Sequence, residues 1–144
     1  MLTENDIIDS VCSMLKEYGY EIQKTTKGRK PGDDIIAIKQ GNPTRQLFIE
    51  AKGETSGAKN SKNYDKPFVS ADIRVNTAEA LYKAAEVLSR KIGNHKMLAG
   101  VALPNNKTYR SAIKNIEPII LHLGIKIFWV NKDGTVEVVG ISEF

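Results

Sequence analysis

Two short segments, DDIIAI at Asp33–Ile38 and LFIEAK at Leu47–Lys52, decide the fold that this sequence of 144 residues predicts. Each is an apolar run, rich in β-branched or bulky residues, with the length of a buried strand. Buried strands seldom carry charges, because an unpaired charge is costly to remove from water. These two nevertheless carry Asp34, Glu50 and Lys52. The segments therefore predict two neighbouring strands whose charged residues share a chemical task.

These three charges are of the types that act together on phosphate groups. The carboxylates of Asp34 and Glu50 offer the hard oxygen ligands that Mg²⁺ prefers, and an ammonium group beside them suits phosphate chemistry. Glu50 and Lys52 are two positions apart, so a strand places them on one face and turns Ala51 toward the core. An antiparallel neighbour that begins near Asp34 would bring the second carboxylate beside them. The pattern predicts a metal-dependent nuclease in which Lys52 orients or deprotonates water, or stabilises charge in the transition state.

The same residues carry a family resemblance. Pro31–Asp34 (PGDD) followed by Glu50–Lys52 (EAK) resembles the PD-(D/E)xK motif of the restriction-endonuclease-like nuclease superfamily. The aspartate and the glutamate are 50 − 34 = 16 positions apart, which suits a hairpin between two strands. The segment Ile49–Ser56 (IEAKGETS) is similar to a subgroup of small bacterial and phage proteins of this kind. Members of that subgroup often have a Gln at the start of the next helix, where this chain has Ser70–Ile73 (SADI).

The resemblance implies a fold, a cofactor and a set of roles. It implies an αβββαβ core, hydrolysis of DNA, and Mg²⁺ as the cofactor with Mn²⁺ able to substitute. Asp34 and Glu50 would be metal ligands together with the backbone carbonyl of Ala51, and Lys52 would be the catalytic cation. Nucleases of this superfamily often turn a Glu of the first helix toward the metal, which makes Glu4 a further candidate catalytic residue.

Several of these residues have competing interpretations. Asp33 rivals Asp34 as the metal ligand, and Asp34 is favoured because it adjoins the apolar run. Glu4 could instead be a first-turn acid that complements the helix dipole. Glu54 could support the site from behind, but an exposed acid is the favoured interpretation. Tyr109 and the arginine after it are a second candidate contact for nucleic acid, with an ordinary first helical turn as the favoured alternative.

The distribution of charge favours a polyanionic partner. The chain carries a net charge of +4, and Lys and Arg outnumber Asp and Glu within the segment Lys24–Lys66. Its basic residues are Lys24, Lys27, Arg29, Lys30, Lys39, Arg45, Lys52, Lys59, Lys62 and Lys66, and its acidic residues are Asp33, Asp34, Glu50, Glu54 and Asp65. In the long polar loop of this segment, Lys59, Lys62, Tyr64 and Lys66 are predicted to bind DNA through phosphates and stacking. The alternative is a flexible, solvated loop.

Length and composition limit the class of protein. With 41% apolar and 26% charged residues, the chain is predicted to form one soluble domain over residues 1–144. No apolar run approaches the roughly 20 residues that span a bilayer, and residues 1–6 (MLTEND) do not resemble a secretion signal. Cys12 is the single cysteine, which excludes an internal disulfide and a multi-Cys zinc site. We therefore expect a cytoplasmic protein with no membrane partner.

Periodicity and turn residues predict the order α-β-β-β-α-β-α-β-β. The first helix is opened by Thr3, with Asp6 completing a capping box, and is ended by Gly19. Further helices are predicted at residues 73–92 and 109–123, and strands at 20–25, 34–40, 45–52, 97–103, 125–130 and 135–141. This order predicts an α/β fold with a mixed central β-sheet flanked by helices on both faces.

Two further interpretations compete with the nuclease. The same fold could be a catalytically inactive module that binds nucleic acid or protein, although the intact Asp34, Glu50 and Lys52 argue against it. Alternatively, Glu50 and Lys52 could be a structural ion pair inside an ordinary α/β domain. For the nuclease, the short chain leaves little room for a separate recognition domain. A homodimer with two sites is then the simplest way to cut both strands of a duplex.

Overall fold

The computed structural model of the protein describes residues 1–28, 30–90, 92–140 and 144. Its helices are α1 (Glu4–Glu17), α2 (Ser70–Leu88), α3 (Lys107–Lys114) and α4 (Glu117–His122). Its strands are β1 (Glu21–Thr25), β2 (Ile35–Lys39), β3 (Arg45–Ala51), β4 (Lys96–Pro104), β5 (Lys126–Val130) and β6 (Val136–Val139). No helix of these residues is long and apolar enough to cross a bilayer.

The six strands form one mixed sheet in the order β1-β2-β3-β4-β5-β6. The first three strands pair antiparallel, as expected for consecutive strands joined by short turns. β3 and β4 pair parallel, with α2 as the connection between them, and β4 and β5 also pair parallel across α3 and α4. β6 returns antiparallel to β5. The predicted α/β class, with a mixed sheet between helices, is confirmed.

The sheet separates two apolar cores because side chains alternate along its strands. On one face, Leu47, Ile49 and Ala51 of β3 belong to the core that includes the buried side of α1. On the other face, Phe48 belongs to the core that includes α2, α3 and α4. Glu50 follows the same alternation, which directs it to the α2 face of the sheet.

The first helix begins as the sequence predicts. The Thr3 side chain accepts a hydrogen bond from the backbone of Asp6, and the Asp6 carboxylate accepts one from the backbone of Thr3. This capping box satisfies donors that the first turn leaves without helical partners. Gly19 follows the helix with a φ of 87°, a left-handed conformation that glycine adopts at little cost. The start of α1 is thereby fixed at Glu4.

The prediction of one helix at residues 109–123 is wrong, because the structure has two. α3 ends at Lys114, and α4 starts at Glu117 with Pro118 in its first turn. Proline has no N–H to bond the carbonyl four residues earlier, and its ring clashes with that turn. For Pro118 the earlier residue is Lys114, the last residue of α3. The proline therefore divides the predicted helix and is well placed at the start of the second one.

The helix α2 lies three to four residues earlier than predicted. It begins at Ser70, where the Asp72 carboxylate accepts a hydrogen bond from the Val69 backbone N–H. It ends at Leu88, and the hydroxyl of the next residue, Ser89, bonds back to the carbonyl of Ala85. The predicted end of the helix at residue 92 is therefore wrong. The last strand ends at Val139, and its predicted end, Ile141, lies outside the described residues.

Candidate metal centre and nucleic-acid interface

The hairpin of β2 and β3 brings the two predicted carboxylates together. Ile35 pairs with Ile49 in the antiparallel register, so Asp34 and Glu50 are opposite each other one step further along. Asp34 is 6% exposed, and its Oδ2 accepts a hydrogen bond from the backbone N–H of Ala51 at 2.8 Å. Burial raises the pKa of Asp34, although that hydrogen bond and the charge of Lys52 oppose the rise. The carboxylate is thus held against the end of β3.

Asp33 has a different environment from Asp34. Its Oδ2 lies 3.4 Å from a guanidinium nitrogen of Arg90, beyond the end of α2. Asp33 is therefore engaged in an ion pair with Arg90, and Asp34 is the aspartate that lies opposite Glu50 in the hairpin register.

Lys52 lies between two carboxylates. Its Nζ is 3.7 Å from Oε1 of Glu50 and 3.0 Å from Oε2 of Glu79, a residue of α2. Burial opposes the charge on Lys52, but the hydrogen bond to Glu79 and the nearby carboxylates outweigh it and raise the pKa of the ammonium group. Lys52 is therefore a fixed positive charge at neutral pH.

Sequence analysis missed two residues of α2 that line the site, Glu79 and Lys83. Besides the contact of Glu79 with Lys52, the Nζ of Lys83 lies 3.8 Å from Oε2 of Glu50. Asn76, Glu79 and Lys83 recur at three- and four-residue spacing, so they form one polar flank of a helix. That spacing was visible in the sequence, but the surface that it faces was not.

The carboxyl group of Glu50 is poorly satisfied by the protein alone. Its Oε2 is buried and has no hydrogen-bond partner, with only the Lys83 ammonium at 3.8 Å. Burial, and then the charge of Asp34, raise the pKa of Glu50 to about 7. A buried acceptor without a donor costs free energy unless another group satisfies it. Glu50 therefore keeps a buried carboxylate oxygen whose nearest described cation is the Lys83 ammonium group.

Glu4, the first residue of α1, reaches the same cluster from the other side of β3. Burial, and then the charge of Asp34, raise its pKa to about 7, while Lys52 and Lys83 lower it. Glu4 contributes to the negative potential of the site. It does not form a three-carboxylate cage with Asp34 and Glu50, because no three His, Cys, Asp or Glu side chains of residues 1–28, 30–90, 92–140 and 144 meet as a metal-ligand group.

The start of α1 is held against the end of β3 by Gly53. A Cβ on Gly53 would come within 2.6 Å of the Glu4 nitrogen and 2.8 Å of the Thr3 carbonyl carbon. Only glycine allows such a close approach of two backbones. The glycine that follows Lys52 is therefore the reason that Glu4 can lie beside the strand ends.

Glu54 holds the start of the chain against the end of β3 through hydrogen bonds to Leu2, which contradicts the expectation that Glu54 is an exposed acid. Its backbone N–H donates to the Leu2 carbonyl at 2.7 Å, and its Oε1 accepts from the Leu2 N–H at 3.0 Å. Its Oε2 accepts from Nδ2 of Asn106, the N-cap residue of α3. Tyr109 closes the network, since its hydroxyl donates to the Gly53 carbonyl at 2.8 Å. Glu54 and its partners tie together the starts of α1 and α3 at the end of β3.

Tyr109 is consequently not a surface contact for nucleic acid. Tyr109 is fully buried in the first turn of α3, which agrees with the alternative of an ordinary first helical turn that the sequence favours. Arg110 is exposed, but it stacks over Trp129 at 4.2 Å and pairs with Glu137 at 2.9 Å. The side chains of Tyr109 and Arg110 therefore both have partners within the protein.

The predicted DNA-binding loop has a defined base and an exposed tip. Thr55 Oγ1 donates to the Asn63 carbonyl at 2.8 Å, and the Phe68 N–H donates to the Glu54 carbonyl at 2.9 Å. All four predicted contact residues are exposed: Lys59, Lys62, Tyr64 and Lys66. Their ammonium groups and ring are available to a partner on the side of the site where α1 begins.

The donor set fits Mg²⁺ better than a softer or fully caged metal. Mg²⁺ in phosphate-processing sites is commonly held by one or two carboxylates, with waters and substrate phosphate oxygens completing its shell. Asp34 and Glu50 supply the two carboxylates, and the Ala51 carbonyl is the third oxygen that the sequence suggests. No described His or Cys joins them. The buried Oε2 of Glu50, which has the Lys83 ammonium group at 3.8 Å and no hydrogen-bond donor, is the specific observation that favours a cation here.

Comparison with known proteins assigns no family to this chain. No protein-family model matches it, and no curated protein does. The site is therefore interpreted from its own geometry and electrostatics.

Proposed function

We propose that this protein is a Mg²⁺-dependent endodeoxyribonuclease. The observation that carries the proposal is the pairing of Asp34 and Glu50 at the ends of two strands, with the fixed charge of Lys52 beside them and a buried Glu50 oxygen without a donor. Two carboxylates with one ammonium group suit a divalent cation and a phosphodiester together.

The order of elements supports a restriction-endonuclease-like core. The chain runs α1-β1-β2-β3-α2-β4, which is the αβββαβ order that the resemblance of the motif implies. The motif residues lie at the start of β2 and the end of β3, where the superfamily pattern requires them. The order and the motif are independent properties of the chain, and they favour the same family.

The proposed reaction is hydrolysis of one phosphodiester bond. Water adds to phosphorus, the bond from phosphorus to one ester oxygen breaks, and that oxygen takes up a proton. Bound Mg²⁺, with Mn²⁺ able to substitute, would supply Lewis-acid polarisation and a water of lowered pKa. Asp34, Glu50 and the Ala51 carbonyl would hold the metal. Lys52 stabilises the negative charge that develops on the phosphoryl oxygens, a role that its raised pKa favours over that of a base.

The proposed partners follow from the same site. Lys59, Lys62, Tyr64 and Lys66 would bind the DNA backbone and bases at the rim. A homodimer would provide two sites where both strands of a duplex are cut. A cytoplasmic location suits a DNA substrate and a chain with one cysteine.

The first experiment is cleavage of plasmid, linear and branched DNA with Mg²⁺ or with a chelator. We expect cleavage that requires the metal and is lost in chelator. Glu50→Ala and Lys52→Ala should each remove cleavage while the melting curve stays cooperative. Glu17→Ala is the matched control, because Glu17 is an exposed acid at the end of α1 opposite to Glu4. Full activity of both site variants would overturn the assignment.

Metal binding separates the nuclease from a catalytically inactive binding module. We expect Mg²⁺ and Mn²⁺ to raise the melting temperature, since both would bind the folded state only. DNA binding with no metal effect and no cleavage would favour the inactive module instead.

A further inference from the structure

A cleft of about 360 Å³ opens beside the candidate metal centre. Lys52 and Glu4 form part of its wall, while Asp34 and Glu50 lie outside it. Residues from four segments line it: the start of α1, the loop between β1 and β2, the loop after β3 up to Phe68, and Asn76 of α2. The cleft is therefore next to the position of the reacting phosphate and distinct from it.

The wall of the cleft combines small residues with one aromatic ring. Gly28, Gly53, Gly57 and Ala58 add little side-chain bulk, so the space between the segments stays open. Phe68 provides an aromatic surface, fixed by the hydrogen bond of its N–H to the Glu54 carbonyl. Flat apolar surface of this kind suits the face of a nucleobase.

Polar groups on the wall suit the edge of a base. Asn76 of α2 donates from Nδ2 to the Tyr109 hydroxyl at 3.3 Å, and it also lines the cleft. Asn5 and Ser56 also line the cleft. Amide and hydroxyl groups of this kind read the hydrogen-bonding edge of an extruded base. Lys52 in the wall and the exposed lysines of the adjoining loop are positive, which suits a phosphate next to that base.

We propose that this cleft binds an unpaired nucleoside of the DNA strand, adjacent to the phosphodiester that is cleaved. The proposal rests on the proposed nuclease function and adds its substrate class, which is DNA with single-stranded or frayed nucleotides. The volume is near the lower limit of roughly 300–1,000 Å³ for small-molecule sites, which accommodates one nucleoside but not a base pair. A fully paired duplex must first lose a base pair to fill the cleft, which costs the free energy of unpairing and unstacking that nucleotide. Single strands, overhangs and flaps are free of this cost.

The first test compares cleavage of a single-stranded oligonucleotide, the same sequence as a blunt duplex, and a duplex with an unpaired overhang. We expect the two DNAs with unpaired nucleotides to be cut at least tenfold faster than the blunt duplex under Mg²⁺. Equal rates on all three would overturn the cleft proposal and leave the nuclease function intact. No cleavage of any of them would overturn the nuclease function, and the binding test below then decides the cleft by itself.

The second test measures binding without cleavage. Calorimetry with thymidine 5′-monophosphate and with 2-deoxyribose 5-phosphate, which lacks a base, separates base recognition from phosphate recognition. We expect the nucleotide to bind at least tenfold more tightly than the sugar phosphate. Equal binding of the two would overturn the base site.

Two substitutions test the location of the base. Ala58→Leu should fill the cleft, and Phe68→Ala should remove its aromatic wall, so each should weaken nucleotide binding at least tenfold. Each should also lower the ratio of single-strand to duplex cleavage. Ala85→Leu is the matched control, because Ala85 is exposed on α2 and does not line the cleft. Melting temperatures confirm that the variants are folded, and unchanged nucleotide binding in both folded cleft variants would overturn the location.

Discussion

The carboxylate of Asp34 accepts a hydrogen bond from the backbone N–H of Ala51 across the β2–β3 hairpin. The Asp34 side chain thereby accepts the hydrogen bond that the backbone N–H of Ala51, the last residue of β3, directs toward β2. The bond keeps Asp34 at a fixed position relative to Glu50 and Lys52, which are the residues directly before and after Ala51. A single hydrogen bond therefore sets the geometry of the candidate metal site.

Asp34→Asn is expected to remove cleavage without unfolding the protein. The amide oxygen can still accept the hydrogen bond of Ala51, but the negative charge that would hold the cation is lost. Metal assistance supplies several kcal/mol of transition-state stabilisation, so we expect a loss of roughly 100-fold or more in rate. Initial rates and melting curves check this prediction. Asp33→Asn is the matched control, since Asp33 pairs with Arg90 and should retain most of the activity.

Gly53→Ala is expected to destabilise the protein by about 1–3 kcal/mol, because a methyl group there overpacks the contact with α1. Its Cβ would lie 2.6 Å from the Glu4 nitrogen, so the start of α1 must move away from β3. The displacement should also weaken Mg²⁺ binding, because it withdraws the charge of Glu4. Denaturant unfolding and metal titration measure the two effects.

Gly57→Ala is the control for that substitution. A Cβ on Gly57 would meet only the Thr3 side chain at 3.8 Å, which is an ordinary contact. A stability of Gly53→Ala equal to that of Gly57→Ala would show that the two backbones are not in close contact.

The metal-free protein is expected to lose stability as the pH rises from about 5 to about 8. Burial, and then the charge of Asp34, raise the pKa of Glu4 and of Glu50 from 4.5 to about 7. A carboxyl group with a raised pKa binds its proton more tightly in the folded state, so its stabilising contribution is full below pH 4.5 and is lost as the pH rises through 7. Melting temperatures in chelator across this range measure the decline.

Glu50→Gln should make that decline shallower, because one of the carboxyl groups with a raised pKa is removed. Saturating Mg²⁺ should raise the melting temperature most at the alkaline end, where the carboxylates are ionised and bind the cation best. A melting temperature that stays constant or increases from pH 5 to pH 8 in chelator would contradict the raised pKa values.

The loop lysines are expected to determine the salt dependence of DNA binding. Replacing Lys59, Lys62 and Lys66 with Ser should reduce the slope of log affinity against log salt concentration by about 0.7–0.9 per lysine that contacts phosphate. Binding titrations at several salt concentrations with Glu50→Gln protein, expected not to cleave the DNA, give this slope. The control replaces Lys16, Lys114 and Lys132, which are exposed elsewhere. Equal slopes for the two triple variants would mean that the loop does not contact the DNA backbone.

Local sequence was sufficient to predict the centre of the site. The alternation in β3 separates Glu50 and Lys52 from Ala51, and the apolar run after Asp34 identifies the start of β2. The hairpin between the two strands is short, so the register that joins them follows from nearby residues. The mixed sheet and the order of the strands could also be predicted, whereas the division of the last predicted helix at Pro118 was missed.

The surroundings of the site could not be predicted, because they depend on contacts between distant segments. Glu79 and Lys83 approach β3 only because α2 crosses back over the sheet to a parallel strand. The sequence favours an exposed position for Glu54, since nothing near it in sequence shows that the Leu2 backbone and Asn106 are its partners. Periodicity indicates which side of an element is polar, but it does not identify the element that lies opposite.

The hydrogen bond between Phe68 and Glu54 closes the loop after β3 at its base. Residues 55–67 are thereby bracketed by two fixed points, so their length and composition can change without moving the carboxylates. Through evolution, or in a loop-exchange library, this stretch can serve as a replaceable segment that, under the proposed function, would select the DNA to be bound. The residues that perform the chemistry have no such freedom, because a one-residue deletion within β3 would turn the charges into the α1 core.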